Sequence, residues 1–124
     1  MTDVTPLIPA GRQVVDSYGR NGFHVSGVAY EGAILVTADA TVAWSAASLA
    51  EMTLESLSAL FDRGIEILLL GCGARMAPVP IELRAALKAK GMVVDAMDTG
   101  AACRTYNILL AEERRVAAAL LPTG

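Results

Sequence analysis

The chain has 124 residues, 54% hydrophobic and 19% charged, which is long enough for one domain whose core needs neither disulfide bonds nor a metal. Its net charge of −3 and its scattered basic residues argue against a surface for nucleic acid or an anionic membrane. No apolar run approaches the roughly 18 residues of a membrane helix. The first residues carry Asp3 and no early positive charge, unlike a secretory or transit peptide. We therefore expect a single domain over residues 1–124, in the cytoplasm and with reduced cysteines.

Glycine-punctuated strands are predicted for the first third of the chain, after an irregular lead-in at residues 1–11. Phe23 and Val25 alternate with the polar His24, and Asn-Gly and Glu-Gly pairs separate this strand from its neighbours. We expect an antiparallel meander over residues 13–44.

From Thr53 onwards the apolar spacing becomes that of helices alternating with buried strands. We predict three helices: one between the N-cap Thr53 and Gly64, one from Pro80 to Gly91, and one at residues 99–113. Buried strands are predicted at residues 66–70 and 92–96, and a strand at residues 116–121 closes the sheet. The strand–helix–strand order favours parallel pairing of the two buried strands. The fold class is therefore α/β, a mixed sheet with helices on it and a β-rich N-terminal layer.

The candidate ligand site lies where the two parallel strands end, because ligands in open α/β sheets bind outside the carboxyl ends of the strands. If these strands are neighbours, their loops share one edge of the sheet with the first turn of the following helix. We call this edge the rim. Its candidate ligand-binding residues are Gly71, Cys72, Gly73, Arg75, Asp98, Thr99, Gly100, Cys103 and Arg104. Two arginines, free helical N–H groups and glycines that allow close approach of the backbone indicate a pocket for a small anion.

A purely structural interpretation of the rim stays open. In it, Gly71 and Gly73 only turn the chain. Asp98 or Thr99 caps the helix, and Arg104 pairs with a surface acid. The sequence lacks the third glycine of a dinucleotide fingerprint, the lysine of a Walker A loop and a Gly-x-Ser-x-Gly elbow. We therefore assign no catalytic residue and no cofactor and, with one histidine and no Cys-x-x-Cys, no metal site.

Cys103 and His24 also have alternative interpretations. In a first helical turn beside Arg104, the Cys103 thiolate is favoured, as in a nucleophilic or redox cysteine. The alternative is a small buried side chain that packs the helix on the sheet. A Cys72–Cys103 pair across the rim is conceivable, but spacing alone does not support it. His24 is expected to face solvent or a neighbouring layer.

Several motifs in the chain together resemble one family. They are residues 18–23 (Tyr-Gly-x-x-Gly-Phe), Gly27-x-x-Tyr30, Trp44, residues 68–73 (Leu-Leu-Leu-Gly-Cys-Gly), Pro80, residues 97–107 (Met-Asp-Thr-Gly-Ala-Ala-Cys-Arg-Thr-Tyr-Asn) and residues 115–122 (Arg-Val-Ala-Ala-Ala-Leu-Leu-Pro). In order and spacing they are similar to the small domain family of unknown function that includes mitochondrial respiratory complex I assembly factor three and its bacterial and archaeal relatives. The resemblance covers nearly the whole chain, and residues 98–107 are its most specific part.

The resemblance implies a three-layer α/β fold with a central mixed sheet and an added β layer. For the eukaryotic members it implies a non-enzymatic role in building the membrane respiratory complex through protein contacts. The family offers no agreed catalytic residue to transfer. The chain has no counterpart of the targeting extension of the mitochondrial members, which fits a bacterial cytoplasmic protein.

The leading hypothesis is therefore a non-enzymatic interaction or assembly protein whose partner is a subunit or assembly factor of a membrane complex. The apolar composition also favours exposed apolar patches and with them a homo-oligomer. The alternative is a small-anion-binding protein or unrecognised enzyme that uses the rim. There Arg75 and Arg104 neutralise the anion, and Asp98 or Cys103 acts as acid/base or nucleophile. A third hypothesis, a redox sensor, requires a Cys103 pKa well below the usual value of about 8.5.

Overall fold

The N-terminal part of the chain forms a small antiparallel sheet. The computed structural model describes residues 11–46 and 48–123, so the lead-in predicted at residues 1–11 lies, apart from Gly11, outside the described residues. The sheet consists of β1 (Val15–Tyr18), β2 (Gly22–Val25) and β3 (Val28–Glu31), in that order. The turn between β2 and β3 is Ser26-Gly27, and both residues have positive φ, 46° and 83°, as a type I′ hairpin turn requires.

A second, five-stranded sheet forms the centre of the molecule. Its strands are β4 (Ile34–Thr37), β5 (Thr41–Ala43), β6 (Ile67–Gly71), β7 (Val93–Met97) and β8 (Val116–Leu120). They lie in the order β5-β4-β8-β6-β7. β6 pairs in parallel with both β7 and β8, whereas β4 pairs antiparallel with β8 and β5. The predicted parallel pairing of the strands near residues 66–70 and 92–96 is confirmed.

Three strand predictions differ from the structure. The meander predicted for residues 13–44 ends at β3, and β4 and β5 join the central sheet, because all four residues of β4 are buried and need a layer on each face. β8 does not close the sheet but lies in its middle, and its five residues are all buried. β7 is an edge strand, not a fully buried one, and it exposes Val93 and Asp95 on the side away from the core.

Two α-helices follow β6 and β7. They are α1 (Ile81–Ala89) and α2 (Thr99–Ala111). Leu83 and Leu87 form the buried stripe of α1, as predicted, whereas Pro80, predicted as the first helical residue, is its N-cap residue. The helix after β7 also begins at the predicted Thr99, and it ends two residues before the predicted Glu113.

The helix predicted between Thr53 and Gly64 is a 3-10 helix at Glu55–Leu60, preceded by a shorter one at Leu49–Glu51. The N-cap residue is Leu54 and not the predicted Thr53, although Thr53 Oγ1 accepts a hydrogen bond from the Ser56 N–H at 3.1 Å. The Ser56 hydroxyl donates to the Thr53 carbonyl oxygen at 2.7 Å. This side-chain bond takes up the carbonyl that an α-helix would use for its first turn, which favours the tighter helix.

Two hydrophobic cores lie on opposite faces of the central sheet. Leu68 and Leu70 of β6 pack on one face with Leu87 of α1 and with the 3-10 segment. Leu69 packs on the other face with Tyr106 of α2 and with the three-stranded sheet. Successive side chains of a strand point to opposite faces, so β6 contributes to both cores. The predicted fold class is confirmed: a three-layer α/β fold with a central mixed sheet and an N-terminal β layer.

Candidate functional site

The rim forms where it was predicted, at the carboxyl ends of β6 and β7. Gly71 and Met97 are register partners, and the Cys72 N–H donates to the Met97 carbonyl oxygen at 2.9 Å. A third strand end joins them, since the Leu121 N–H, just after β8, donates to the Gly71 carbonyl oxygen at 3.0 Å. This third strand end was not predicted, because the last strand was expected to close the sheet at its outside.

Thr99, the first residue of α2, connects these strand ends. Its side chain is fully buried. Its Oγ1 accepts a hydrogen bond from the Gly73 N–H at 2.9 Å and donates one to the Leu121 carbonyl oxygen at 2.6 Å. Its own N–H donates to the Gly73 carbonyl oxygen at 2.9 Å. The hydroxyl is therefore engaged inside the protein and has no exposed surface for a ligand.

The rim glycines allow this close packing. A Cβ on Gly71 would lie 2.8 Å from Leu120 Cδ2 and 3.0 Å from Thr99 Oγ1, so no larger residue fits there without displacing β8 or α2. Gly73 has a φ of +88°, a conformation that L residues rarely adopt. Both glycines thus turn the chain and admit Thr99, as the structural interpretation of the rim proposed.

Asp98 and Gly100 lie at the start of α2. Asp98 is the N-cap residue, and its carboxylate accepts a hydrogen bond from the Ala101 N–H at 2.9 Å. A Cβ on Gly100 would lie 2.5 Å from the hydroxyl oxygen of Tyr18. The phenol of the N-terminal sheet therefore covers the first turn of α2, at the place where the anion hypothesis requires open N–H groups.

The two cysteines lie on opposite sides of the central sheet. Cys72 is half-buried against the core on the α1 face, and Cys103 is buried in the core on the α2 face. Both thiols are free, so the pair considered above is not formed. Burial raises the pKa of Cys103 to about 12, with Arg104 opposing the rise and Asp98 adding to it. This direction is opposite to the low pKa that a redox cysteine requires, and the buried packing role is confirmed.

The rim arginines, Arg75 and Arg104, are both exposed. Arg104 Nη1 lies 3.3 Å from the position that a Cβ on Gly100 would take, so this cation stands beside the start of α2. In the described part of the chain, ion pairs join Arg12 to Asp39 and Arg115 to Glu66. Arg104 takes part in neither, so its predicted pairing with a surface acid is not seen there.

Tyr106 and Asn107, the last two residues of the motif at residues 97–107, bind β1 and the segment just before it. The Tyr106 hydroxyl donates to the Gln13 carbonyl oxygen at 2.8 Å. The Asn107 side chain accepts a hydrogen bond from the Val15 N–H at 3.0 Å and donates one to the Val15 carbonyl oxygen at 2.8 Å. A residue of a neighbouring strand makes the same pair of bonds. Burial raises the pKa of Tyr106, which keeps its phenol protonated as a donor. These two side chains fasten α2 to β1.

His24 is exposed, which confirms one of the two expected placements. Its Nδ1 lies 3.2 Å from Ser17 Oγ on the neighbouring strand β1. The nearby Asp16 carboxylate accepts from the Gly27 N–H at 2.8 Å and so serves the hairpin. Among residues 11–46 and 48–123, no three His, Cys, Asp or Glu side chains come together as a metal-binding group.

The fold also builds a cleft that the sequence analysis missed. It lies at the opposite end of the central sheet from the rim, has a volume of about 370 Å³, and its lining includes Arg12, Arg63, Arg114 and Arg115. We call it the arginine cleft. These residues are scattered along the sequence, and only the adjacent pair at 114–115 gave any signal. They meet because the start of β8, the segment before β6 and the end of β4 lie side by side.

The chain is a three-layer α/β domain. Its most specific motif, at residues 97–107, joins the end of β7, the start of α2 and the N-terminal sheet. The family model described as "Protein of unknown function (DUF498/DUF598)" matches residues 15–121, and the chain belongs to this family. The resemblance noted from the sequence is thereby confirmed.

Known relatives of the chain include a bacterial and a vertebrate protein. An uncharacterized protein of Rhodobacter capsulatus is 39% identical over 113 residues, which cover 91% of this chain and 87% of that protein. NADH dehydrogenase [ubiquinone] 1 alpha subcomplex assembly factor 3 of Danio rerio is 39% identical over 111 residues, 88% of this chain. The match spans 64% of the zebrafish protein, so about a third of that protein lies outside the aligned part.

A solved structure has the same fold. The crystal structure of a Bordetella parapertussis protein superposes with a TM-score of 0.84 and 38% sequence identity, over 92% of this chain and 99% of that one. In the part of the chain that the structure describes, neither α-helix has the length and apolar character needed to cross a membrane.

Proposed function

We propose that the chain is a non-catalytic interaction protein that binds a subunit or a maturation factor of a membrane respiratory complex. The observation that carries this proposal is the 39% identity to a protein named as a complex I assembly factor, over 88% of this chain. The partner is proposed for this chain and is not transferred from the relative, because the match spans only 64% of that protein.

The outer surface of the rim supports a protein contact better than a small-ligand pocket. Inside the rim, Thr99 and Asp98 are engaged in hydrogen bonds within the protein. Outside, the loop after β6 exposes Met76 to 63% and leads to Ile81, which is exposed to 80% at the start of α1. Large apolar side chains this exposed on one short segment, with Arg75 beside them, suit the partly apolar centre and basic margin of a protein interface.

The test is recovery of partners by the tagged protein, expressed at native level in cells of its source organism. We expect subunits or maturation factors of a membrane respiratory complex to be recovered with the unaltered chain. Ile81→Ser should reduce that recovery, whereas Ile108→Ser, which alters an isoleucine exposed to 54% on α2, should leave it unchanged. Recovery of no such subunit or factor by the unaltered chain would contradict the proposal.

Binding of a small anion at the rim is the alternative function. It is favoured by the position of Arg104 beside the start of α2, and opposed by the Tyr18 phenol that covers Gly100. If the rim holds an anion, inorganic phosphate should raise the melting temperature of the Tyr18→Ala variant more than that of the unaltered chain. Arg104→Ala in the same background should abolish the difference. Equal responses of all three proteins would remove this alternative.

Two expectations from the sequence stay proposals, the cytoplasmic location and the homo-oligomer. Fractionation of cells that carry the tagged chain tests the first, and light scattering of the purified protein tests the second. A periplasmic or membrane-embedded chain would contradict the first expectation, and a monomer at all concentrations the second.

A further inference from the structure

The arginine cleft has the size and position of a ligand site. Its volume of about 370 Å³ falls within the range of about 300–1,000 Å³ that is common for small-molecule sites. It lies between the start of β8, the end of β4 and the end of α2. Val116 lines it from β8, Thr37 from β4 and Leu110 from α2. These three elements contribute three of the eleven lining residues, and the other eight lie in the segments that flank or connect the elements.

The cleft concentrates positive charge. Four of the ten lysines and arginines of the chain line it, together with two acids, Asp39 and Glu113. The lining therefore carries an excess of positive charge in a chain whose net charge is −3. A concave surface of one sign concentrates ions of the opposite sign.

Two of the four guanidinium groups carry charge that no ion pair offsets in the described part of the chain. Arg12 Nη1 lies 3.0 Å from Asp39 Oδ1, and Arg115 pairs with Glu66. Arg63 donates from Nε to the Ala59 carbonyl oxygen at 2.8 Å, a bond that orients the group without neutralising it. Arg63 and Arg114 are therefore the cations best suited to bind an anion. A guanidinium group can donate two parallel hydrogen bonds to two oxygens of one phosphate.

The backbone around the cleft is held in place. The Arg114 N–H donates to the Leu109 carbonyl oxygen at 2.9 Å and the Glu113 N–H to that of Leu110 at 3.0 Å, which is the Schellman pattern at the end of α2. On the other side, the Gln13 N–H donates to the Ala38 carbonyl oxygen at 2.9 Å and fixes the segment that carries Arg12. A site whose backbone is already ordered has less entropy to lose when it binds.

The floor of the cleft is aliphatic. Ile65, Leu110 and Val116 line it, and all three are buried. The described lining contains no aromatic side chain on which a nucleobase could stack. Guanidinium groups above an aliphatic floor match a ligand with a charged head and a saturated or branched hydrocarbon body.

We propose that the arginine cleft binds a small phosphorylated compound with an aliphatic body, its phosphate oxygens on Arg63 and Arg114 and its hydrocarbon part on the floor. The cleft lies at the other end of the sheet from the rim, so this site is independent of the proposed protein contact. Either one can fail in experiment while the other holds.

Calorimetric titration with three probes tests the ligand chemistry. Isopentenyl diphosphate has both the charged phosphate head and the branched hydrocarbon body. Pyrophosphate has only the charged head, and isopentenol has only the hydrocarbon body. We expect the first to bind most tightly, pyrophosphate at least about tenfold more weakly, and isopentenol not measurably. No binding of either diphosphate, or equal binding of the two, would overturn the proposal.

Substitutions locate the site. Arg63→Gln and Arg114→Gln should each weaken isopentenyl diphosphate binding about tenfold, because each removes a charge-assisted hydrogen bond. Arg20→Gln, in the turn between β1 and β2 and outside the cleft lining, removes the same charge and should leave the affinity unchanged. All three side chains are on exposed residues, and circular dichroism checks that each variant is folded. An equal loss in the Arg20 variant would place binding elsewhere and overturn the assignment.

Chemical-shift mapping on the unaltered chain gives a second readout that needs no variant. On addition of isopentenyl diphosphate, the amide signals of Thr37, Ile65 and Val116 should shift, and those of Gly73 and Gly100 should not. Shifts confined to the rim glycines would contradict a site in the arginine cleft.

Discussion

The hydroxyl oxygen of Tyr18 lies 2.5 Å from the point where a Cβ on Gly100 would stand, so the end of β1 packs directly on the first turn of α2. The two residues are far apart in sequence: Tyr18 ends a strand of the N-terminal sheet, and Gly100 lies in the first turn of a helix. Their contact explains why the small residue at the start of α2 need not indicate a ligand. Gly100 makes room for a side chain of the protein itself.

The first prediction concerns this contact. Gly100→Ala should change the free energy of unfolding by less than about 1 kcal/mol, because the gain in helix propensity offsets the displacement of a partly exposed phenol. In a Tyr18→Ala background the same substitution should stabilise by about 1 kcal/mol, since no phenol opposes the new methyl group. Urea unfolding of the four proteins measures both values. Equal effects in the two backgrounds would show that the contact has no energetic role.

The second prediction concerns the buried hydroxyl of Thr99. Thr99→Val keeps the shape but removes both hydrogen bonds, leaving the Gly73 N–H and the Leu121 carbonyl unpaired. We expect a loss of about 2–4 kcal/mol of unfolding free energy. Thr99→Ser retains the hydroxyl and should cost less than Thr99→Val. Thr105→Val, at a half-buried position of the same helix, is the matched control and should change stability by less than about 0.5 kcal/mol.

The third prediction follows from the burial of Cys103, which raises the pKa of its thiol from 9.0 to about 12. Between these values the folded chain keeps a proton that the unfolded chain has lost. The free energy of unfolding therefore falls as pH rises through this window, by at most about 1.4 kcal/mol per pH unit. Cys103→Ala should make that fall shallower.

The measurement is urea unfolding of the unaltered chain and of the Cys103 variant at several pH values between about 8 and 11. Burial also raises the pKa of Tyr106, which lowers stability with the same sign at higher pH in every variant. The difference between the Cys103 variant and the unaltered chain isolates the thiol. If the two curves run parallel throughout, Cys103 ionises at its ordinary pH in the folded chain and its burial is incomplete.

Local patterns in the sequence were sufficient to predict the helices after β6 and β7 and the parallel pairing of those strands. Pro80 and Thr99 mark helix starts through chemistry that acts within one turn. The place of β8 was not predictable in the same way. Its run of alanines shows burial on both faces, but the choice between the middle and the outside of the sheet depends on which strands flank it.

The motif at residues 97–107 was recognised as specific, and for Asp98 both a ligand contact and a helix cap were left open; the structure has the cap. No partner was predicted for Asn107, which pairs with the backbone of Val15 in the N-terminal sheet. A long-range partner of this kind leaves no trace at the position itself. For the same reason the arginine cleft was missed, since Arg12 and Arg114 meet only when β4 and β8 pair.

The last prediction concerns Glu113, which directly follows the C-cap residue of α2, has a φ of 61° and lines the arginine cleft. Only glycine adopts this left-handed conformation at no cost, so Glu113→Gly should stabilise the protein by about 1 kcal/mol. Glu112→Gly is the matched control: it removes the same charge one residue earlier, where φ is −83°, and should destabilise by about 0.5–1 kcal/mol. Thermal and urea unfolding compare the two variants. A loss of stability in both would mean that the Glu113 side chain contributes more than its backbone conformation costs.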